Sequence, residues 1–312
     1  MTTLAAQLAD VLGTSAITGL VRLSGGASRE TWRFAADGRP LILQRQRSGD
    51  GRDMGVEASV LRAAGAAGMP VASVVAADAE PSSPLGASFM VMTAVEGETI
   101  ARKILRDDEF TEARRLLPAQ LGAALAQLHA VAVDTAPGLV EQDQIGYYRD
   151  MLDTLGQPHP AFELAFRWLE QHRPVSPRRA IVHGDFRLGN VIVGPDGLRA
   201  VLDWELAHLG DPMEDLGWLC VKAWRFGSPK PVAGVGEYDE LFAAYEAAGG
   251  GHVDPDEARW WEVLGTLKWG IMCILQCNAH LSGFSRSHEL AAIGRRVCEN
   301  EHDLFLALEG RW

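Results

Sequence analysis

The sequence predicts an α+β protein of two lobes, a small antiparallel-sheet lobe over residues 1–95 and a larger, mostly helical lobe over 96–312. Three observations carry this reading. Before Gly97 the apolar residues fall in short strand-like runs separated by Gly, Pro and Asp, and beyond it they recur at helical spacing over long runs. The chain has 312 residues, 47% of them hydrophobic, which is enough for each lobe to have its own core. The helical lobe is interrupted by a strand-like stretch, AIVHGDFRLGNVIVGPDGLRAVLDWE (residues 180–205), which carries a His, Asp, Arg and Asn that no tight turn requires.

Residues 1–13 read as a short amphipathic helix. ITGLVRL (17–23), ETWRFAA (30–36) and PLILQRQ (40–46) read as strands, with GGAS and ADG as the turns between them. MGVEASVLRAAGAAG (54–68) is a helix closed by Gly68 and Pro70. PVASVVAADA (70–79) and ASFMVMTAV (87–95) are two more strands, joined by the Pro/Ser-rich EPSSPLG. After a connector near 92–98, EFTEARRLLPAQLGAALAQLHAVAV (109–133) and PAFELAFRWLEQH (160–172) have amphipathic helical spacing. AIVHGDF and NVIVGPDGLRAVLDWE are strands, with PDG as a hairpin turn. Helices resume at DPMEDLGWLCVKAW (211–224), YDELFAAYEAAG (238–249) and DPDEARWWEVLGTLKWGIMCILQC (254–277). The last has Asp254 as its N-cap and Pro255 at its first position.

Composition narrows the function classes. Asp and Glu number 41 against 29 Lys and Arg, so the net charge is -12. That field disfavours nucleic acid and anionic membranes as partners, and otherwise serves solubility. Cys273 and Cys277 share a helix face with no matching Cys/His pair nearby, so the four cysteines read as free thiols. The most apolar helix, near 259–281, is interrupted by Glu262 and Lys268 and reads as a core helix, not a membrane span. With no signal-peptide pattern in MTTLAAQLADVLG, a cytoplasmic, reducing setting is expected.

The chemistry concentrates in HGDFRLGN. Asp185 and Asn190 are five residues apart in that loop, and Asp203 follows at the end of AVLDWE. A strand–loop–strand hairpin of this length returns the loop beside Asp203, gathering two carboxylates and an amide oxygen. Hard oxygen donors of this kind suit Mg²⁺, which takes one or two protein groups and completes its shell with phosphate and water. The remaining carboxylate can orient or deprotonate a hydroxyl.

The pattern His183-x-Asp185-x4-Asn190, followed by Asp203-Trp204-Glu205, Gly210-Asp211-Pro212 and Asp215-Leu216, resembles the aminoglycoside phosphotransferase and choline-kinase-like families, relatives of the protein kinases. The resemblance covers roughly residues 18–280. VHGDFRLGNVIV and VLDWELAHLGDP are most similar to the branch associated with acyl-CoA dehydrogenases. It implies a bilobal protein-kinase-like fold that moves the γ-phosphoryl group of ATP, with Mg²⁺, to a hydroxyl of a small molecule. Asp185 would be the catalytic base and Arg187 would offset charge on the transferred group. Asn190 and Asp203 would hold the metal, and His183 would be a structural hydrogen-bonding residue.

In the first lobe the resemblance implies a phosphate-approaching turn with Gly25, Gly26 and Ser28, and Glu57 as the acid that pairs with a nucleotide-binding Lys. The strand and hinge around Met92 and Ala94 would meet adenine through the backbone. Leu128 and His129 match packing positions. Asp215 is expected to cap the following helix, and Asp211 either braces the loop or meets substrate. Trp224, Trp260, Trp261 and Trp269 are expected in the core or along a substrate pocket. One position departs from the pattern: Gln44 stands where Lys or Arg is usual. Strand alternation alone points Arg45 beside it to the opposite face, and a one-residue bulge or register shift is expected to bring it inward beside Glu57, so Gln44 and Arg45 are both nucleotide-binding candidates. Gln44 is also the one feature favouring the alternative, a nucleotide-binding pseudokinase without turnover.

Overall fold

The computed structural model describes residues 3–23, 29–46, 53–175 and 178–311. Gly25, Gly26 and Ser28 lie outside the described residues. Helix α1 (Leu4–Leu12) is capped by the Thr3 hydroxyl, which accepts from the Ala6 N–H at 3.3 Å. Strands β1 (Ile17–Arg22), β2 (Arg29–Ala36) and β3 (Arg39–Gln46) are followed by α2 (Met54–Ala66), β4 (Val74–Asp78) and β5 (Phe89–Thr93). The five strands form one antiparallel sheet in the order β1-β2-β3-β5-β4.

Alternation gives the sheet two different faces. Phe34, Leu41, Leu43, Phe89 and Val91 bury one face against Leu8 of α1. Met90 and Met92 lie on the other, packed with Met54, Ala58 and Leu61 of α2. That second face is the roof of the cleft described below.

The helical lobe begins with α3 (Ala101–Arg106) and the long α4 (Thr111–His129), then α5 (Gln144–Leu155) and α6 (Pro160–Gln171). Four short strands come next: β6 (Ala180–Val182), β7 (Val191–Gly194), β8 (Gly197–Val201) and β9 (His208–Gly210). The expected β7–β8 hairpin is present, but β6 pairs antiparallel with β9, setting Ile181 opposite Leu209. Three residues are too few for HLG to show a period, so β9 has no signal in the sequence. The chain finishes with α7 (Met213–Cys220), α8 (Tyr238–Ala247), α9 (Pro255–Leu281), α10 (His288–Ile293) and α11 (Val297–Leu308).

Helix α9 starts as expected, the Asp254 carboxylate accepting from the Asp256 N–H at 2.9 Å with Pro255 at its first position. It is a core helix: Glu262 and Lys268 are both buried and both partnered. Glu262 takes Arg225 at 2.6 Å and the Tyr238 hydroxyl at 2.8 Å. Among the described residues no helix is long and apolar enough to cross a membrane. All four cysteines are free.

Candidate active site

The loop between β6 and β7 is fixed from below. His183 is fully buried; its Nε2 donates to the Leu202 carbonyl at 2.9 Å, and its Nδ1 accepts from the Asp185 N–H at 3.2 Å. These partners select the neutral Nε2–H tautomer, and burial lowers the ring's pKa in the same sense. Gly184 has φ +79°, and a Cβ there would stand 2.4 Å from the Leu206 carbonyl oxygen, so the backbone can pass only as glycine.

Asp215 corrects an expectation. From the first turn of α7 its carboxylate accepts the His183 N–H at 2.7 Å and the Gly184 N–H at 2.9 Å, and meets His129 Nε2 at 3.2 Å. It therefore holds the loop and does not cap α7. Burial opposes its ionisation, yet the hydrogen bonds from His129 and from the His183 backbone N–H help keep its pKa below the usual range. The cap is Asp211, whose Oδ1 accepts from the Met213 N–H at 2.9 Å while Oδ2 braces the Arg178 N–H at 3.0 Å.

Asp185 is surrounded by donors. Arg187 Nε and Trp218 Nε1 both reach Oδ1, each at 2.9 Å, and Asn190 Nδ2 reaches Oδ2 at 2.6 Å and the Asp185 carbonyl at 3.0 Å. A single 3-10 turn, Leu188–Asn190, folds Asn190 back onto the aspartate. Because Nδ2 makes both contacts, the Oδ1 of Asn190 is left as an acceptor. Arg187 stacks over Trp224, its guanidinium carbon 4.7 Å from the ring centroid, inside a cluster of Trp218, Trp224 and Trp269. These tryptophans belong to the core, and so does Trp260, whose Nε1 donates to the Leu169 carbonyl at 3.0 Å.

The residue after β8 brings Asp203 to the same place. The Leu202 N–H donates to the Asn190 carbonyl at 2.8 Å, locking the two segments side by side. Asp203 itself has φ +62°, a left-handed conformation uncommon for a residue with a side chain and of the kind that collects at working sites. Protein atoms crowding the carboxyl, then the charges of Glu205 and Asp185, push its pKa up to about 6. Asp203 still meets cleft water, so the push is weaker than a sealed site would give. A carboxylate raised by uncompensated negative neighbours is one that a cation would relieve. With Asn190 it offers two hard oxygen donors, which fits Mg²⁺ shared with phosphate and water. No three-ligand cluster of His, Cys, Asp or Glu for a metal occurs among the described residues.

Asn190 and Asp203 form part of the floor of a cleft of about 370 Å³, with Gln44 and Met92 from the sheet and Glu57 from α2 above. Here the structure corrects the reading of Arg45. β3 pairs without a break in register, Thr31 opposite Gln44 and Glu30 opposite Arg45, and β5 continues this with Met90 and Phe89. With no bulge to turn it, Arg45 stays on the far face, 2.7 Å from Glu30 and 3.1 Å from the Leu85 carbonyl. Glu57 pairs instead with Arg29 of β2 through two hydrogen bonds, Nη1 to Oε2 at 2.8 Å and Nη2 to Oε1. At Ala94 the N–H is already used by the Pro40 carbonyl at 3.1 Å, so that N–H is not the group that would meet a ligand.

Sequence reasoning missed three residues of the site. Trp218 follows Asp215 by three positions and so shares its helix face, a spacing that was available. Lys268, noted only as an interruption of α9, puts Nζ 2.7 Å from the Gly184 carbonyl and 3.3 Å from Glu214, which holds His208 at 3.0 Å. A charge inside an apolar helix needs a partner, and that need was its signal. Arg29 had no signal, because its meaning depends on strand register.

Comparison with known proteins agrees with this architecture. The sequence model of the phosphotransferase enzyme family matches residues 19–261. Acyl-CoA dehydrogenase family member 10 of Mus musculus is 30% identical over 227 residues, covering 68% of this chain and 21% of that protein. The chain thus spans about a fifth of the length of that relative. Among solved structures, an aminoglycoside-phosphotransferase-type protein of Ralstonia eutropha superposes with a TM-score of 0.76 at 20% identity, covering 98% and 97% of the two chains. Spectinomycin phosphotransferase, solved with ADP and spectinomycin, gives 0.69 at 14% identity, covering 97% of both. The fold is protein-kinase-like, and the chain belongs to the phosphotransferase enzyme family.

Proposed function

We propose that this protein transfers the γ-phosphoryl group of ATP to a hydroxyl of a small molecule. The observation that carries the reading is the convergence of Asp185, Asn190 and Asp203, joined by the 2.6 Å Asn190–Asp185 contact and the Leu202–Asn190 backbone bond. The neighbour solved with ADP supports a nucleotide in the cleft. The acceptor oxygen attacks the γ-phosphorus as the bond to the β-phosphate oxygen breaks, ADP leaves, and the hydroxyl proton passes to Asp185. Oδ1 of Asp185 already accepts two hydrogen bonds and Oδ2 one, so the open lone pair on Oδ2 is where the hydroxyl donates. Asn190 Oδ1 and the Asp203 carboxylate would hold Mg²⁺, which supplies charge neutralisation on the phosphates when bound. The Arg187 guanidinium, anchored by Nε and stacked on Trp224, keeps its terminal nitrogens for charge on the transferred group.

Relatives named as acyl-CoA dehydrogenase family members 10 and 11 make hydroxylated acyl compounds the first acceptors to try, ahead of antibiotics or choline. A coupled ADP-release assay across such a panel, with Asp185→Ala as control, tests the reading. Acceptor-dependent release lost in the variant is expected. Tight Mg·ATP binding with no release on any acceptor would favour the pseudokinase that Gln44 suggests.

A further inference from the structure

The cleft has a charge problem that its usual device does not solve. A triphosphate needs a cation from the sheet side as well as a metal from the floor, and Gln44 brings none. Among the described residues lining the cleft, Arg29 is the one cation, against the carboxylates of Glu57, Asp203 and Glu205.

We propose that Arg29 is the phosphate-binding cation of this protein, moved from β3 to the neighbouring strand β2, with Glu57 as the residue that positions it. The inference rests on the proposed nucleotide-binding reading of the cleft. Strand register supplies the first argument. Thr31 lies directly opposite Gln44, so Arg29 is the diagonal neighbour of Gln44 on the same face. Diagonal pairs stand about 7–8 Å apart, a distance an arginine side chain spans. A cation lost at position 44 can therefore be replaced from position 29 without moving the charge out of the cleft.

The second argument is the partner. Glu57 is 2% exposed on α2, and a buried carboxylate needs a committed cation. Arg29 provides one through both terminal nitrogens, with Nη2 also 3.6 Å from Glu205. Burial works against the guanidinium charge, but the Glu57 hydrogen bond and the charges of Glu57, Glu205 and Asp203 outweigh it and raise its pKa. Its two hydrogen bonds to Glu57 leave the planar fork further N–H donors for phosphate oxygens. Arg45, the nearest other candidate in β3, is committed to Glu30 and Leu85 on the opposite face.

The test measures affinity for Mg·ATP and for adenosine, by competition with a fluorescent nucleotide, on the full chain. Arg29→Ala alone would strand a buried carboxylate, so the informative variants are Arg29→Gln with Glu57→Gln, and Arg29→Gln with Gln44→Arg. In the first, ATP affinity should fall about ten- to hundredfold while adenosine affinity stays within about twofold, since only the phosphates lose a charged partner. In the second, the restored guanidinium should recover most of the ATP affinity. An ATP affinity unchanged in the first variant, or falling equally for ATP and adenosine, overturns the assignment of Arg29. Failure of the unmodified protein to bind Mg·ATP at all instead overturns the nucleotide-binding reading beneath it.

Discussion

At the scale of single residues, Asp185 is oriented by three side-chain donors, and the indole of Trp218 is the one not also offered to phosphate or metal. Trp218→Phe keeps the ring packing and removes the 2.9 Å hydrogen bond. We expect kcat to fall about tenfold with the KM for ATP unchanged, because the lost bond positions the base and not the nucleotide. Equal changes in both constants would show that the indole acts through nucleotide binding. Asp203 gives a pH prediction. With a folded pKa of about 6, it is increasingly protonated as pH drops through that value, and a proton competes with Mg²⁺. Mg²⁺-dependent ATP affinity should therefore weaken as pH falls through about 6, and the dependence should vanish in Asp203→Asn. The same shift has the opposite sense for the ligand-free fold. A carboxyl whose folded pKa is raised favours the fold at low pH, and that contribution is lost as pH rises toward 6. Asp203→Asn should thus raise the melting temperature of the ligand-free protein at pH 7 while removing activity, and asparagine tolerates the left-handed backbone at φ +62°.

At the scale of elements, the loop is held by α7 and α9 more than by its own strands. Asp215 takes two loop N–H groups, and Lys268 takes the Gly184 carbonyl. Asp215→Ala leaves those two buried N–H groups and His129 without their carboxylate, and should cost about 3 kcal/mol in urea unfolding as well as most turnover. A loss under about 1 kcal/mol would mean that the β6–β9 and β7–β8 pairs suffice to hold the loop. How far this was legible in the sequence follows from the same residues. The motif spacing placed Asp185, Asn190 and Asp203, and periodicity placed the sheet strands and α9, because each signal is local. Asp215 was misassigned because a carboxylate in the first turn of a helix looks like a cap until the loop beneath it is known. Arg29 and Arg45 exchanged significance for a related reason. Which of two arginines faces a cleft depends on unbroken strand register, and register is a property of pairs of strands.

At the scale of the whole molecule, the sheet face bearing Arg29, Gln44 and Met92 closes over the floor bearing Asn190 and Asp203, so a ligand filling the cleft touches both lobes. Such a ligand binds the folded chain and not the unfolded one. Mg·ATP at a hundred times its dissociation constant should add about 2.7 kcal/mol of stability, a rise of a few degrees in Tm, and ATP with a chelator should add less. The net charge of -12 repels the nucleotide at long range, so affinity should improve as added salt screens that field, until salt also screens the contacts themselves. The central claim is the transfer itself, and one measurement meets it most directly. The protein is incubated with Mg²⁺, ATP labelled at the γ-phosphate and a panel of hydroxylated acyl compounds, and the label is followed by mass spectrometry. A phosphorylated acceptor is expected to form with the unmodified protein and to be absent with Asp185→Ala. Label found only in free phosphate across a broad acceptor panel, in equal amounts with and without Asp185, would contradict it.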